Sequence, residues 1–413
     1  MRLLYSLLLY IISPFIILYL RKRGRKNSKY NKNWQERFGF NLKNSSTKPI
    51  IWLHAVSVGE TRAMLKLVQL LESNYPDYQI LITNMTPTGR DTAKNLYPNV
   101  ILQYIPYDLP HAVINFYKTF KPQLGLIMET EIWPNLAFYA HKFNIPLYLI
   151  NARLSNKSFR SYNKIRYLIT PILNNFSGIL CLDQSSLQNF KNLGYNKHLD
   201  IIGNMKFDLA IDNTFLKDAI TLKAEISNKP VIVFASTRIG DEKLILDNLP
   251  KNFPYLIIIV PRHPERFPLV DELIQKTNLS YQKRSEIKTI KPDTQILLGD
   301  TLGEMLMYYE ICDLAVIGGS FNNHGGQNPI EAIFMQKPVI FGPSMFNFKE
   351  VAANSLQANC ALQVNNINEC FATIDKILTN KDQYLELANN CKNFIHTHQG
   401  ASQLVFNNVR QHL

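Results

Sequence analysis

The stretch Asp313–Phe341 reads DLAVIGGSFNNHGGQNPIEAIFMQKPVIF. Leu314 to Ile317 is a short apolar run with the composition of a buried parallel strand, and Gly318 and Gly319 end it. A second glycine pair, Gly325 and Gly326, leads into Asn328-Pro329-Ile330-Glu331. That quartet has the form of a helix start: Asn at the N-cap, Pro at the first helical position, and Glu at the third, where its carboxylate can reach back to the cap. A glycine-lined strand end facing the N–H groups of a new helix suits a phosphate or a nucleotide. A plain strand–loop–helix connection needs the cap but not two glycine pairs, so a ligand is expected here.

Outward from this stretch, the second half of the chain alternates strands with helices. Val231–Ala235, Leu256–Val260, Thr294–Leu298, Leu314–Ile317 and Val339–Phe341 read as strands. The first half has the same rhythm: Ile50–Ala55, Gln79–Thr83, Leu124–Met128, Pro146–Asn151 and Ile179–Leu182, with one helix expected from Ser57 to about Ser73. Such alternation predicts open parallel sheets covered by helices on both faces. The polar stretch 211–229 contains no clear strand and is expected to be a linker. The fold class is therefore α/β: two Rossmann-like, doubly wound domains at 49–210 and 230–393, with a helical tail at 394–413. The strand ends of both are expected to point into a cleft between them.

With 413 residues and 46% hydrophobic content, the chain can bury more than one core. Its formal charge is +13. Much of that excess is local: Arg21, Lys22, Arg23, Arg25, Lys26, Lys29, Lys32 and Arg37 stand against the single acid Glu36. A cluster this confined argues for a membrane surface over a nucleic-acid groove, and no nucleic-acid partner is expected. It comes after the apolar run Leu3–Leu20, which as a helix would be about 27 Å long. That is just enough for a thin hydrocarbon core. The segment 1–21 is thus expected to be a membrane anchor and 22–48 a basic linker. A single-pass span comes first, then, given Pro14 and the modest length, a helix lying in the interface, and last a helix packed on the globular body. The absence of a small-residue cleavage site argues against a removed signal peptide, and the basic run places both expected domains on the cytoplasmic side.

Cys181, Cys312, Cys360, Cys370 and Cys391 form no CxxC and no metal-ligand spacing, and are expected to be buried thiols of a reducing compartment. There is no P-loop, no GxGxxG at the first strand–helix turn and no GxSxG. His396 and His398 lack further ligands nearby in sequence, and no metal site is expected.

The candidate chemistry lies on strand ends. In the first half, Ser57-Val58-Gly59-Glu60 places a carboxylate at a helix start, where Glu60 is either the far side of a capping box or a general base. Glu129 and Glu131, two apart before Trp133-Pro134, contribute little to stability at such a place and suit acid–base or hydroxyl-positioning work. Lys206, Arg90 and Arg153 are candidate contacts for anionic substrate groups. In the second half, Ser236-Thr237-Arg238, Pro261-Arg262-His263, Leu302-Gly303-Glu304 and Asn328-Pro329-Ile330-Glu331 surround a nucleotide-like site, with Arg262 suited to a bidentate phosphate contact. Glu331 is a candidate for ribose hydroxyls, or simply part of the cap.

These residues lie within motifs that resemble one family. WQERFGF (34–40), HAVSVGE (54–60), TNMTPTGRD (83–91), METEIWPN (128–135), NARLS (151–155), GNMKFD (203–208), VPRHPERF (260–267), LGDTLGEM (298–305) and GGSFNNHGGQNPIEA (318–332) are similar, in order, to the membrane-associated 3-deoxy-D-manno-oct-2-ulosonic acid (Kdo) transferases. The resemblance implies a GT-B glycosyltransferase with the acceptor domain first and the CMP-Kdo domain second. It implies inverting transfer of Kdo from CMP-Kdo to a lipid A precursor at the inner membrane. The family's base then falls on Glu60, its second acid on Glu129 or Glu131, and its assisting lysine on Lys206. CMP contacts fall on Pro261-Arg262-His263, Leu302-Gly303-Glu304 and Asn328 through Glu331. CMP departs as a monophosphate, so no metal or other cofactor is expected, nor an obligate protein partner. Gln327 stands where the family often has His.

Overall fold

The computed structural model describes residues 2–209, 214–226, 229–287 and 289–413. They form two units, 1–210 with 398–413, and 211–397. Each unit is built on a seven-stranded sheet in which neighbouring strands run parallel.

In the first unit the strands are β1 (Ile50–Ala55), β2 (Gln79–Asn84), β3 (Ile101–Tyr104), β4 (Pro122–Met128), β5 (Leu147–Ala152), β6 (Gly178–Cys181) and β7 (His198–Ile201). Their order is β3-β2-β1-β4-β5-β6-β7. The winding reverses beside β1, whose register sets His54 against Thr83 of β2 and Ile127 of β4. β1 is buried on both faces, as a central parallel strand must be. Ile50 and Trp52 pack under helix Pro110–Phe120, and Ile51, Leu53 and Ala55 under helix Leu65–Asn74. Trp52 fits because Gly125 on β4 leaves room for its ring; a Cβ there would lie 2.9 Å from it. Its indole N–H donates to Thr83 Oγ1 at 2.8 Å.

The second unit has β8 (Val231–Thr237), β9 (Leu256–Pro261), β10 (Tyr281–Lys283), β11 (Ile296–Leu298), β12 (Leu314–Ile317), β13 (Val339–Phe341) and β14 (Ala361–Gln363), in the order β10-β11-β9-β8-β12-β13-β14. Here the reversal lies between β8 and β12. In doubly wound sheets, ligands bind beyond the strand ends at such a reversal. The loops after β1 and β4, and after β8 and β12, are therefore the positions the topology marks for function.

Several expectations change. The helix expected from Ser57 to about Ser73 is two, Val58–Ala63 and Leu65–Asn74. The expected linker 211–229 carries helix Thr214–Glu225, which buries Ala219 and Leu222 and packs against helix Met305–Ile311; residues 211–213, 227 and 228 lie outside the described residues. The expected boundary after residue 393 falls inside helix Lys381–His398. Beyond it the chain returns to the first unit: Ala401, Val405, Phe406 and Val409 of helix Ala401–Val409 join the core under helix Leu65–Asn74. Asp208 caps that return by accepting N–H bonds from Gly400, at 2.7 Å, and Ser402.

The basic segment 22–48 is also more than a linker. The N-terminal helix runs on to Lys26, and the turn Trp34–Phe38 buries Glu36, Arg37 and Phe38. Glu36 accepts from Arg90 at 2.6 Å and from the Tyr104 N–H at 2.8 Å. Arg90, a sequence candidate for anionic substrate, is committed to this pair.

Asp108, between β3 and helix Pro110–Phe120, caps helix Pro134–Lys142 by accepting the N–H groups of Asn135 and Leu136 at 2.9 and 2.7 Å. Burial pushes its carboxyl up from 3.8 to about 7, against the opposing pull of those N–H groups. An acid with a raised folded-state pKa keeps its proton longer in the fold than in the unfolded chain. Its contribution is therefore complete below about 3.8 and is lost as pH rises to about 7. Thermal melts across that window should show stability falling with pH, and Asp108→Asn should flatten the fall.

Candidate active site

At the end of β1, Ser57 adopts an extended cap conformation and its Oγ accepts the Glu60 N–H at 3.4 Å. The Glu60 carboxylate reaches back to the Ser57 hydroxyl at 2.7 Å and to the Val56 N–H at 2.8 Å. The Ser57 cap anticipated from the sequence forms, with the Glu60 carboxylate reaching the N–H one residue before it; the two bonds fix the direction of the carboxylate of a residue that is only 7% exposed. Glu60 is thus both a cap and an oriented acid.

At the end of β4, Glu129 sits in the left-handed region at φ 60°. For a residue with a Cβ this costs about 1–3 kcal/mol and persists only where its surroundings impose it. Its N–H is held by Ile150 O at 2.9 Å, and its carboxylate accepts Lys206 Nζ at 2.9 Å. Lys206 lies in the turn Met205–Phe207, 77 residues on in sequence. Asn204 Oδ1 caps its N–H at 3.0 Å, and Asn151 Oδ1, at the end of β5, takes the Met205 N–H at 3.0 Å. Glu131 follows Glu129 and is hydrogen-bonded by the Trp133 side chain.

The structure therefore brings Glu60, Glu129, Glu131 and Lys206 to one rim of the first unit. Burial raises the Glu60 carboxyl above its ordinary value, and the Glu129 charge adds to the rise. Ser57, Val56 and Lys206 oppose it. Glu131 is raised by burial and by Glu60 and Glu129, and lowered by Trp133. A carboxylate with a raised pKa is a stronger base toward a hydroxyl, and its fixed lone pairs give that base a direction.

In the second unit the loops after β8, β9 and β12 are tied together by two adjacent acids that the sequence reading missed. Asp241 accepts the N–H groups of Arg238 and Gly319 at 2.8 and 2.6 Å, and Asn322 Nδ2 at 2.7 Å. Buried Glu242 holds Arg266 through two bonds of 2.7 and 2.6 Å and accepts Thr237 Oγ1 at 2.6 Å. The signal was legible as Gly240-Asp241-Glu242, acids in the first turn of helix Asp241–Asn248. Gly318 is required at the end of β12 because a Cβ would lie 2.5 Å from Ser236 O.

Around this frame, Arg262 follows Pro261 at the end of β9 with an exposed side chain. Arg238 donates to His263 Nε2 at 2.7 Å, so that imidazole nitrogen is occupied. Leu302 is exposed, and the left-handed Gly303 would meet nothing within 4 Å if it carried a Cβ. Glu304 caps helix Met305–Ile311, and its carboxylate is engaged by Arg284 at 3.1 Å, Tyr308 at 3.0 Å and Thr301. The expected helix start at Asn328 is displaced by one residue. Pro329, with helical dihedrals, is the cap of helix Ile330–Phe334, and Asn328 Oδ1 takes the Ile330 N–H at 3.0 Å. Glu331 accordingly falls at the second helical position.

Comparison with known proteins separates fold from activity. A UDP-GlcNAc 2-epimerase from Neisseria meningitidis, solved with UDP-GlcNAc, superposes with a TM-score of 0.57 over 88% of this chain and 100% of its own, at 13% identity. A spinosyn rhamnosyltransferase solved with thymidine diphosphate superposes at 0.54, covering 87% of this chain and 99% of its own, at 13% identity. The fold is GT-B, and it serves both kinds of protein. The sequence profile described as 3-deoxy-D-manno-octulosonic-acid transferase (kdotransferase) matches residues 32–209. The 3-deoxy-D-manno-octulosonic acid transferase of Haemophilus influenzae is 34% identical over 100% of this chain and 99% of its own length. The chain belongs to the 3-deoxy-D-manno-octulosonic acid transferase family. It is a glycosyltransferase.

Lys206 lowers the pKa of Glu60 and pairs with Glu129. Lys206→Met is therefore expected to move the acid limb of the transfer rate to higher pH and to lower kcat about 100-fold. A pH–rate profile of the variant with an unmoved acid limb would separate Lys206 from the carboxylates.

Proposed function

We propose that this enzyme transfers Kdo from CMP-Kdo to a lipid A precursor, a tetraacyl disaccharide bisphosphate, with inversion, in lipopolysaccharide core biosynthesis at the cytoplasmic side of the inner membrane. The observation that carries the reading is the rim of Glu60, Glu129, Glu131 and Lys206. Family membership supplies the substrate class. Glu60, held by Ser57 and Val56, takes the proton of the acceptor hydroxyl as that oxygen attacks the anomeric carbon. Lys206 opposes part of the rise that burial and Glu129 impose on the Glu60 carboxyl. In the second unit Arg262 and the glycine-lined loop after β12 take the cytidylate phosphate, whose departure they favour electrostatically. The leaving group is a monophosphate, so the reaction is expected to need no metal and to continue in chelator.

The test is mass spectrometry of precursor incubated with the purified full chain and CMP-Kdo, where a Kdo mass increment is expected. Glu60→Ala and Glu60→Gln should both bind CMP with normal affinity yet lose turnover by about 100-fold or more. Near-normal turnover in Glu60→Gln would leave Glu60 as a helix cap only.

A further inference from the structure

Helix Arg2–Lys26 is docked on the first unit by polar contacts at its start and apolar ones further along. Arg2 Nη1 donates to Asn135 Oδ1 at 2.9 Å, and the guanidinium lies 3.7 Å from the centre of the Phe138 ring. One turn on, Ser6 Oγ donates to the same Asn135 oxygen at 3.1 Å, and the Tyr5 hydroxyl bonds Asp108. Tyr10 stacks on His111 and meets its Nδ1 at 2.8 Å. Near the other end, Ile16, Ile17 and Leu20 pack with Phe38, Leu109 and Ala112. The opposite face is apolar and bare: Leu3, Leu4, Leu7, Ile11, Phe15 and Leu18, at helical spacing, are 57–75% exposed. Arg21, Lys22, Arg23 and Arg25 continue from that stripe, also exposed.

We infer that this helix lies flat in one leaflet of an anionic bilayer, its bare stripe among the acyl chains and its docked face on the enzyme, and does not cross the membrane. The inference deepens the membrane reading of the proposed function and rests on it only for the presence of a bilayer. A crossing would place Arg2 and the basic collar on opposite sides of roughly 30 Å of hydrocarbon. Arg2 is bonded to the start of helix Pro134–Lys142, and Leu20 packs at the start of helix Pro110–Phe120. Both are folded parts of one unit, so a crossing would have to break the whole set of contacts, whereas a flat helix breaks none. The flat arrangement also lets the collar meet anionic headgroups at the same depth. Phe40, 54% exposed and packed beside His111, extends the apolar ledge.

The five native cysteines are buried, so single added thiols can be labelled selectively. Spin labels on Leu4→Cys, Ile11→Cys and Leu18→Cys, each in the full chain bound to phosphatidylethanolamine–phosphatidylglycerol vesicles, should report one common depth of roughly 5–10 Å. A label at Ile11 near the midplane with Leu4 and Leu18 at opposite surfaces, or no vesicle binding, would overturn the inference. Binding to phosphatidylcholine alone should be about tenfold or more weaker, and equal binding counts against it. Because Ser6 and Asn135 touch, Ser6→Cys with Asn135→Cys should cross-link on oxidation in the vesicle-bound protein without releasing it. Failure to cross-link, or release on cross-linking, also counts against it. None of these measurements involves sugar transfer, so a wrong donor or acceptor would leave them unaffected.

Discussion

One ammonium group holds the first unit's rim together. Burial raises Glu60 and Glu131, the Glu129 charge adds to the rise of both, and Glu60 adds to that of Glu131, because neighbouring carboxylates repel. Lys206, bonded to Glu129 at 2.9 Å, is the cation set against these carboxylates, and it opposes the rise of Glu60. Much of the nearby structure serves to place it. Asn151 and Asn204 fix the turn that carries it, and Asp208, two residues on, ties that turn to the returning C-terminal helix. Glu129 accepts a strained backbone to present its oxygen to the same ammonium.

The second unit repeats the topology. β8 and β12 take the central places that β1 and β4 hold in the first sheet. In the loops after β8 and β11, Asp241, Glu242 and Glu304 are engaged by backbone N–H groups, Arg266 and Arg284. Arg262 is exposed, and Gly319, Gly325 and Gly326 after β12 are left-handed. On the proposed reading, the acids of one unit would serve proton transfer and the cationic or N–H groups of the other the phosphate.

Sequence pattern was enough wherever a feature is local. The central strands, the Ser57–Glu60 box and the glycine-lined end of β12 are all written in fewer than ten consecutive residues, and the structure contains them. It failed where the cause is distant or short. β3, β7, β10 and β14 are only three or four residues long and lie toward sheet edges, so they lack the apolar runs that betray a buried strand. Helix Thr214–Glu225 has a mostly exposed face and looks polar until Met305–Ile311 is brought against it. The Lys206–Glu129 pair could be suspected from charge alone, but its geometry depends on Asn151, which opens the NARLS motif without any sign in the sequence that it holds the Met205 N–H. Arg90 went the other way: a cation that suggested substrate is consumed by Glu36.

The return of residues 398–413 has a consequence for how the molecule is made. Val405, Phe406 and Val409 roof the apolar face of helix Leu65–Asn74, and the Tyr78 hydroxyl bonds Leu413 O at 3.0 Å. Translation delivers these residues only after 211–397 has emerged from the ribosome. The nascent first unit must therefore wait with that face open while the second folds, a window in which chaperones and proteases can engage it. Only a chain read through helix Ala401–Val409 can close the first unit, so progress of synthesis to that point is itself inspected by the fold.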